Sequence, residues 1–425
     1  MDRREFLRVM IIGGSGLLLN RSVACKKSSS GDIPRTLPAP QVNTFSSEIV
    51  LNTRRSYHSG YSGELSDQIL ANVLWATGKA PAIGQTRTIY VATSENVYIY
   101  DPVHHEITVH EPGNHLSESN LAFEVGVASD LVEDSGLALL YGLLAATSFW
   151  TDNVNQPGCC PKESARSNAS STWNPTSSIH NVHCYGRMPA VSGITDELVA
   201  VSSNSSLPDP STNGSVLLEN AFANLIYGEQ FSSMELTLDQ ISQIAWASYG
   251  CTPHLGSYSH AGLTVPSAMA DYYLTGRIYI VRAEGVERFH NRLPGGDLTT
   301  RDHRIERLID GDKRPQLRTA VPRLPSTASV YFVYCAENTN RYQLIEAGYC
   351  GASALLQASS IDLQGYITAG FSSAERNAII DALSIPSGDL PLVIFSVGHA
   401  DTGVGERSSG GIKYADAMPN PLQYV

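Results

Sequence analysis

The segment LSDQILANVLWAT, residues 65–77, recurs 171 residues later as LTLDQISQIAWAS, residues 236–248. In both segments the apolar positions follow the spacing of an amphipathic helix. Two further blocks return in the same order: IYV at 89–91 as IYI at 278–280, and DSG at 134–136 as EAG at 346–348. A period of this length is a whole domain rather than a solenoid unit. The chain is therefore predicted to consist of two related copies that pack together.

The segments around the copies differ from them in composition. We predict an export signal at 1–24, a flexible linker at 25–46, a partial first copy at 47–155, an irregular insertion at 156–215, a second copy at 216–400 and a tail at 401–425. The insertion is rich in Ser, Asn, Pro and Gly, with one strand expected near 198–201. Helices that alternate with few strands around a small sheet indicate an α+β class.

The N-terminus predicts export by the twin-arginine route. Arg3 and Arg4 precede an apolar stretch at 9–19 that is shorter than the roughly 20 residues a membrane-spanning helix needs. Ser22-Val23-Ala24 suits ordinary signal cleavage, but it also resembles a lipobox before Cys25. We favour a lipoprotein anchored at Cys25, in the periplasm or at the cell surface. Because this route carries folded proteins, a tightly held organic cofactor is expected.

Charge and cysteine content narrow the function classes. The formal net charge is −12, and no basic cluster follows the signal region apart from Lys26-Lys27, so the sequence does not favour nucleic-acid binding. Cysteines and histidines concentrate between the copies: Cys159, Cys160, His180, His183 and Cys184. In an exported protein a disulfide is more natural than a zinc site, although its pairing is left open. We assign no metal ligand.

The two copies differ where a ligand could bind. Copy 1 has Arg54-Arg55-Ser56 just before its first repeated helix, where copy 2 has Leu225-Ile226-Tyr227. Guanidinium groups and a hydroxyl at a helix start are the donors that grip phosphate. Copy 2 instead carries Pro266-Ser267-Ala268, which has no evident counterpart in copy 1. The asymmetry indicates one shared site rather than two equal ones.

The ordered series of these elements closely resembles the FMN-dependent nitroreductase superfamily. The series continues with Glu346-Ala347-Gly348 opening a helix, the stretch Gly365–Phe371, and an apolar strand at 393–398. The likeness is greatest to the azoline-oxidising dehydrogenase branch, which forms thiazoles and oxazoles in peptides. It implies an α/β/α sheet-and-helix fold in which two protomers hold FMN at their interface. Here two unequal copies of one chain would form that dimer internally, as a pseudo-dimer.

The resemblance assigns flavin-binding roles by position to Arg54, Arg55, Ser56, Pro266, Ser267, Ala268, Ala369 and Gly370. The first three would hold the phosphate, and the next three would approach the ring from the second copy. The last two match a loop whose backbone faces the flavin edge, although in the family that loop belongs to the subunit that supplies the Arg-x-Ser. No catalytic acid or base is assigned, because the flavin itself carries the hydride chemistry.

The function implied is that of an exported FMN-dependent oxidoreductase. Its substrate would be a small molecule or a peptide, and its electron partner is left open because NAD(P)H is not expected outside the cytoplasm. The alternative is a flavin-free lipoprotein that retains the fold as a binding or structural module. Bound FMN distinguishes the two.

Overall fold

The computed structural model describes residues 33–150, 156–175, 178–189, 195, 197–199, 206–255, 261–292 and 301–401. The predicted export signal, Cys25 and the tail beyond residue 401 lie outside these residues. All elements below belong to one structural unit that begins at Pro34. Among the described helices, none is both long enough and apolar enough to cross a bilayer.

The first half of the chain builds an antiparallel seven-stranded sheet in the order β1-β4-β3-β2-β5-β7-β6. Its strands are β1 (Arg35–Thr36), β2 (Arg87–Thr93), β3 (Asn96–Asp101), β4 (Glu106–Pro112), β5 (Phe123–Ser129), β6 (Gln156–Pro161) and β7 (Ile179–Met188). Its helices are α1 (Ser47–Thr53), α2 (Asp67–Lys79), α3 (Val132–Thr147) and α4 (Glu163–Thr172).

The second half builds an antiparallel six-stranded sheet in the order β12-β11-β10-β13-β15-β14. Its strands are β10 (Ile278–Arg282), β11 (Gly285–Arg292), β12 (Arg301–Asp310), β13 (Val330–Ala336), β14 (Gln364–Ala369) and β15 (Leu390–Gly398), with a separate pair β8 (Cys251–Leu255) and β9 (Ala261–Leu263). Its helices are α5 (Leu218–Ala223), α6 (Leu238–Tyr249), α7 (Arg314–Ala320), α8 (Arg341–Ser360) and α9 (Ser373–Leu383). Apart from β1, the two strand orders correspond strand for strand, as the predicted duplication requires.

The region from 156 to 188 corrects the sequence prediction. It forms β6, α4 and β7, which correspond to β14, α9 and β15 of the second half, so it completes copy 1 instead of interrupting the chain. The prediction was wrong here because β6 lies at a sheet edge, where Pro157 and Pro161 are tolerated. Helix α4 buries only Ala165 and Ala169, so its sequence lacks a strong apolar stripe. Of the strand expected near 198–201, residues 198–199 are irregular and the rest lie outside the described residues.

The repeated segments 65–77 and 236–248 contain most of helices α2 and α6, as predicted. Each helix begins after a hydroxyl residue at the same repeat position, Ser66 or Thr237, whose side chain accepts a hydrogen bond from a first-turn amide. In copy 2 Gln240 completes a capping box with Thr237. Trp75 and Trp246 are fully buried in the main apolar cluster, so the repeat marks the inner face of each copy.

Helices α3 and α8 cross at the centre of the molecule, where the copies meet. Gly136 of α3 lies against the carbonyl of Ile345, and Gly348 of α8 lies against the carbonyl of Glu133. A Cβ atom at either glycine would overlap that carbonyl oxygen. The two contacts are reciprocal, because Gly136 is the repeat equivalent of Gly348 and Glu133 is the equivalent of Ile345. Such reciprocity is typical of the self-complementary interface of a two-fold dimer. The predicted intrachain pseudo-dimer is therefore built around this crossing.

Candidate functional site

A cavity of about 380 Å³ lies at the seam between the copies. Copy 1 contributes His58, Pro161, Lys162 and Asn181 to its wall, and copy 2 contributes Ser267, Ala268, Glu346 and Tyr349. Its volume is within the range of pockets that enclose small organic ligands. Neither copy alone forms this cavity, because its walls come from both.

The predicted phosphate clamp begins directly where α1 ends. Arg54 is buried, and its guanidinium donates to the backbone carbonyls of Leu263 (2.6 Å), Thr264 (3.1 Å) and Val265 (3.2 Å) in copy 2. A longer bond of 3.5 Å reaches the Ser56 hydroxyl. Burial lowers the pKa of Arg54 to about 10, so the group is still a cation at neutral pH. Within the described residues no ion pair supplies a carboxylate to it, so this buried charge has only neutral acceptors.

The loop that follows β6 supplies the copy 1 wall of the cavity. Pro161 and Lys162 line it, together with Glu163 and Ser164 in the first turn of α4. Pro161 has no backbone N–H, and the Lys162 amide donates to Val182 O at 3.1 Å. The remaining backbone donors of this wall are the first-turn amides of α4, which have no acceptor within the helix.

Ala369 and Gly370, which are predicted to face the flavin edge, lie at the corresponding position of copy 2, where β14 ends, and do not line this cavity. The Ala369 carbonyl accepts from Arg323, and Gly370, with φ of 69°, lies against Leu131 at the start of α3. The equivalent residues of copy 1, Pro161 and Lys162, do line the cavity, and they belong to the same copy as Arg54 and Ser56. The sequence does not show this equivalence, because the composition around β6 predicts an insertion.

The corresponding position of copy 2 has no polar clamp. Leu225 and Tyr227 stand where copy 1 has Arg54 and Ser56, and both are buried. The Tyr227 ring stacks on Tyr366 with 5.1 Å between the ring centroids. An apolar residue and a stacked pair of rings replace the guanidinium and hydroxyl donors, in keeping with the single site expected from the asymmetry.

The loop carrying Pro266, Ser267 and Ala268 closes the cavity from copy 2. It forms a single 3-10 turn, Ala268–Ala270. Ala270, the last residue of this turn, and Tyr272 take left-handed backbone conformations with φ of 56° and 51°. Such conformations are costly for residues other than glycine and are retained where the surroundings enforce them. The Ser267 hydroxyl accepts from the Tyr272 amide at 2.8 Å, which fixes the turn.

Sequence reasoning missed Glu346 as a site residue. Its buried carboxyl lies on the cavity wall and accepts a hydrogen bond from Ser267 Oγ at 2.5 Å and another from the Tyr249 hydroxyl. Burial raises its pKa to about 7, against the opposing effect of these bonds. The available signal was the repeat itself, since Glu346 aligns with Asp134.

A polar network between the copies reaches the cavity wall at Asn181 and Tyr349 and extends to His183. The Tyr349 hydroxyl accepts from Asn181 Nδ2 at 2.6 Å and is 2.7 Å from His183 Nε2. Burial, together with the charge of Arg54, lowers the pKa of His183 to about 3, so the imidazole is neutral. The network therefore adds no charge to the site.

The cysteine cluster spans both faces of the β6–β7 pair. Cys160 lies directly opposite Cys184 in the ladder, and Cys159 Sγ is 3.8 Å from His183 Nδ1 on the other face. All three are free thiols in this structure, so the disulfide stays a prediction. Within the described residues, no three His, Cys, Asp or Glu side chains are grouped so as to hold a metal ion.

The donor set suits a phosphate-bearing flavin. Arg54 is a buried cation with no carboxylate partner in the described part of the chain, and Arg55 and Ser56 follow it directly. A phosphate beside these residues would supply the missing counter-charge. The cavity between the copies offers an enclosed space with Ser267 and Ala268 on one side and the first turn of α4 on the other. Arg54, Arg55, Ser56 and Pro266 are not among the residues that line the cavity, so the fit to FMN rests on the charge of Arg54, whose donors bind carbonyls, and on the cavity walls formed by Ser267, Ala268 and the first turn of α4.

Comparison with known proteins extends to structure but not to sequence. No protein-family model matches the sequence, and no curated protein matches it. A protein described as a nitroreductase from Anabaena variabilis superposes with a TM-score of 0.56, covering 82% of this chain and 94% of that chain at 12% identity. A protein from Ralstonia eutropha, also described as a nitroreductase, superposes with a TM-score of 0.37, covering 50% of this chain and 97% of that chain at 19% identity. A chain of the E. coli microcin synthetase McbBCD complex superposes with a TM-score of 0.34, covering 48% of this chain and 78% of that chain at 17% identity. The first match agrees with the topology and confirms the predicted fold: the chain has the nitroreductase fold, with both copies in one polypeptide.

Proposed function

We propose that the protein is an FMN-dependent oxidoreductase that binds one flavin in the seam cavity. The observation that carries this proposal is the cavity of about 380 Å³ enclosed by both copies. Arg55 and Ser56 would hold the phosphate within the field of Arg54. Ser267, Ala268 and the first turn of α4 would contact the ring. When bound, FMN supplies hydride transfer.

The chain's own residues orient the ligand and restrict water. The Arg54 bonds to residues 263–265 tie the end of α1 to the loop of copy 2, so the clamp and the ring-facing turn are held in one arrangement. At the rim, Lys162 pairs with Glu118 at 2.6 Å and Arg341 pairs with Glu163 at 2.5 Å. The second pair joins the start of α4 to the start of α8, and the first ties the residue before α4 to the segment between β4 and β5. A small molecule or an extended peptide segment is the substrate class that fits the opening at this rim.

A flavin titration tests the proposal. The purified full-length protein should bind one FMN per chain, and riboflavin should bind more weakly because it lacks the phosphate. Arg55→Ala should narrow that difference, since a hydrogen bond to a charged group contributes about 1.5–3 kcal/mol. Arg323→Ala is the matched control, because Arg323 is partly exposed beside the corresponding loop of copy 2. Absence of binding by either flavin, or two flavins per chain, would refute the proposal.

One observation favours the alternative of a flavin-free binding module. The Arg54 donors are committed to carbonyls, and Pro161 removes a backbone donor from the wall where the family faces the flavin edge. In that case the cavity would take a small organic ligand without a phosphate. The same titration separates the two functions, since this alternative requires that neither FMN nor riboflavin binds.

We further propose that the protein is exported and held at the membrane through Cys25. Arg3, Arg4 and the sequence before Cys25 support this, although they lie outside the described residues. Substituting Lys for both arginines should leave the protein in the cytoplasm, and Cys25→Ala should release it from the membrane fraction. At that location electrons would pass to or from a partner other than NAD(P)H.

A further inference from the structure

Two buried carboxyls at equivalent positions of the copies have opposite partners. Asp134 of α3 pairs with Arg87: the guanidinium donates to both carboxylate oxygens, once at 2.8 Å, and both side chains are fully buried. Glu346 of α8 has no ion pair within the described residues. Its oxygens accept instead from Ser267 Oγ, from the Tyr249 hydroxyl and from the Leu274 amide at 3.4 Å.

The difference follows from one replaced residue. Ile89 of β2 aligns with Ile278 of β10, so the position of Arg87 falls on Gly276 in copy 2. Copy 2 therefore has no residue equivalent to the Arg87 cation at this position, and the Ser267 hydroxyl bonds to the Glu346 carboxyl instead. An isolated buried carboxylate costs several kcal/mol, so the neutral acid is favoured. Burial accordingly raises the pKa of Glu346 to about 7.

Within the described residues no cation forms an ion pair with Glu346, although two cations act on its tyrosine neighbours: Arg292 lies 4.3 Å from the Tyr272 ring centroid, and the charge of Arg54 acts on Tyr272 and Tyr349. The titratable groups that act on it from α6, from the loop after Ser267 and from α8 itself are Tyr249, Tyr272, Tyr273, Tyr349 and Cys350. Burial raises the pKa of each of these groups, so all five are neutral near pH 7. Glu346, with a pKa of about 7, is therefore a group of the copy 2 wall that gains or loses a proton near neutrality.

We propose that Glu346 and Ser267 form a proton relay that opens into the seam cavity. The proposal rests on the proposed function for the identity of the molecule in the cavity. In the donating direction, the Ser267 O–H bond breaks as its proton passes to the bound molecule. The Glu346 O–H proton then passes to Ser267 Oγ, so one proton leaves the carboxyl and none is created. The carboxylate left behind is stabilised by the Tyr249 hydroxyl and the Leu274 amide. The reverse sequence takes up one proton.

Infrared difference titration of the flavin-free full-length protein tests the carboxyl directly. The carbonyl band of a protonated carboxyl should disappear with a midpoint near pH 7, and Glu346→Gln should abolish that transition. Ser267→Ala removes a bond that favours the carboxylate, so it should move the midpoint upwards. Glu219→Gln is the matched control: Glu219 is also buried, but it bonds to Ser148 at 2.7 Å and does not line the cavity. This variant should keep the transition near pH 7.

With FMN bound, the reduction potential should change its pH slope near pH 7 in the wild type. The inflection should be lost in Glu346→Gln, should move upwards with the carboxyl midpoint in Ser267→Ala, and should be kept near pH 7 in Glu219→Gln. An infrared transition unaffected by Glu346→Gln overturns the relay, and so does a flavin inflection that Ser267→Ala leaves at the wild-type pH. If no flavin binds, the proposed function fails, and the midpoint shift in Ser267→Ala alone then supports or overturns the link between the two side chains.

Discussion

Gly348→Ala tests how closely the copies approach at the α3–α8 crossing. A methyl group there would overlap the Glu133 carbonyl, whereas at Gly351, three residues further along α8, it would meet Ile367 and Val393 at 3.5 Å, which is ordinary contact. Replacing Gly by Ala inside a helix otherwise stabilises by about 1 kcal/mol. Overpacking costs about 1–3 kcal/mol. The helix-propensity gain is common to both variants, since both glycines lie inside α8, so we expect Gly348→Ala to be less stable than Gly351→Ala by about 1–3 kcal/mol.

The measurement is urea denaturation followed by fluorescence of the buried tryptophans, which include Trp75 and Trp246. Gly136→Ala should behave as Gly348→Ala does, because it meets the Ile345 carbonyl in the same way. The double variant should cost less than the sum of the two, since one small separation of the helices relieves both overlaps. Equal stability of Gly348→Ala and Gly351→Ala would refute the close crossing and, with it, the two-fold arrangement of the copies.

Three further predictions concern buried charge. Because the folded pKa of Glu346 is raised from 4.5 to about 7, its contribution to stability is complete below pH 4.5 and falls as pH rises through 7, by about 3 kcal/mol; Glu346→Gln should flatten this part of a stability–pH profile. Asp134→Asn leaves the Arg87 guanidinium buried without its anion and should cost about 3–5 kcal/mol in denaturant unfolding; a loss below 1 kcal/mol would contradict the buried pair. Arg54→Met leaves three carbonyls without donors and should lower the thermal midpoint more than Arg55→Ala does, as calorimetry would show.

The repeat was readable from sequence because the inner faces of the copies obey the same packing rules. Helices such as α2 and α6 carry buried apolar positions at helical spacing, and a Ser or Thr cap marks where each begins. The second half of copy 1 was not readable, since its strand β6 lies at an edge and α4 is mostly exposed. At such positions sequence can drift towards Ser, Asn and Pro without a loss of packing, and the composition then resembles a loop.

The candidate site was partly predictable for a related reason. Motif position was enough to place Ser267 and Ala268 at the seam cavity. It did not place Pro161 and Lys162 there in preference to Ala369 and Gly370, because the composition around β6 predicts an insertion and hides the equivalence of the two pairs. The hydrogen-bond partners of Arg54 could not be predicted from the sequence, because they are backbone carbonyls, which every residue type carries. Contacts of this kind depend on where the copies dock, which no local pattern specifies.

The duplicated positions show that an internal pseudo-dimer can carry different residues at its two equivalent sites, which a symmetric dimer cannot. In a homodimer every substitution occurs twice, so a residue that fills one site with an apolar ring would fill both. Here Tyr227 and the Arg87–Asp134 ion pair consolidate one half of the seam. The other half keeps the cavity, the strained turn at Ala270 and Tyr272, and a carboxyl without a cation. Strain and uncompensated burial weaken a fold, so confining both to one of two equivalent positions lets the rest of the seam offset their cost.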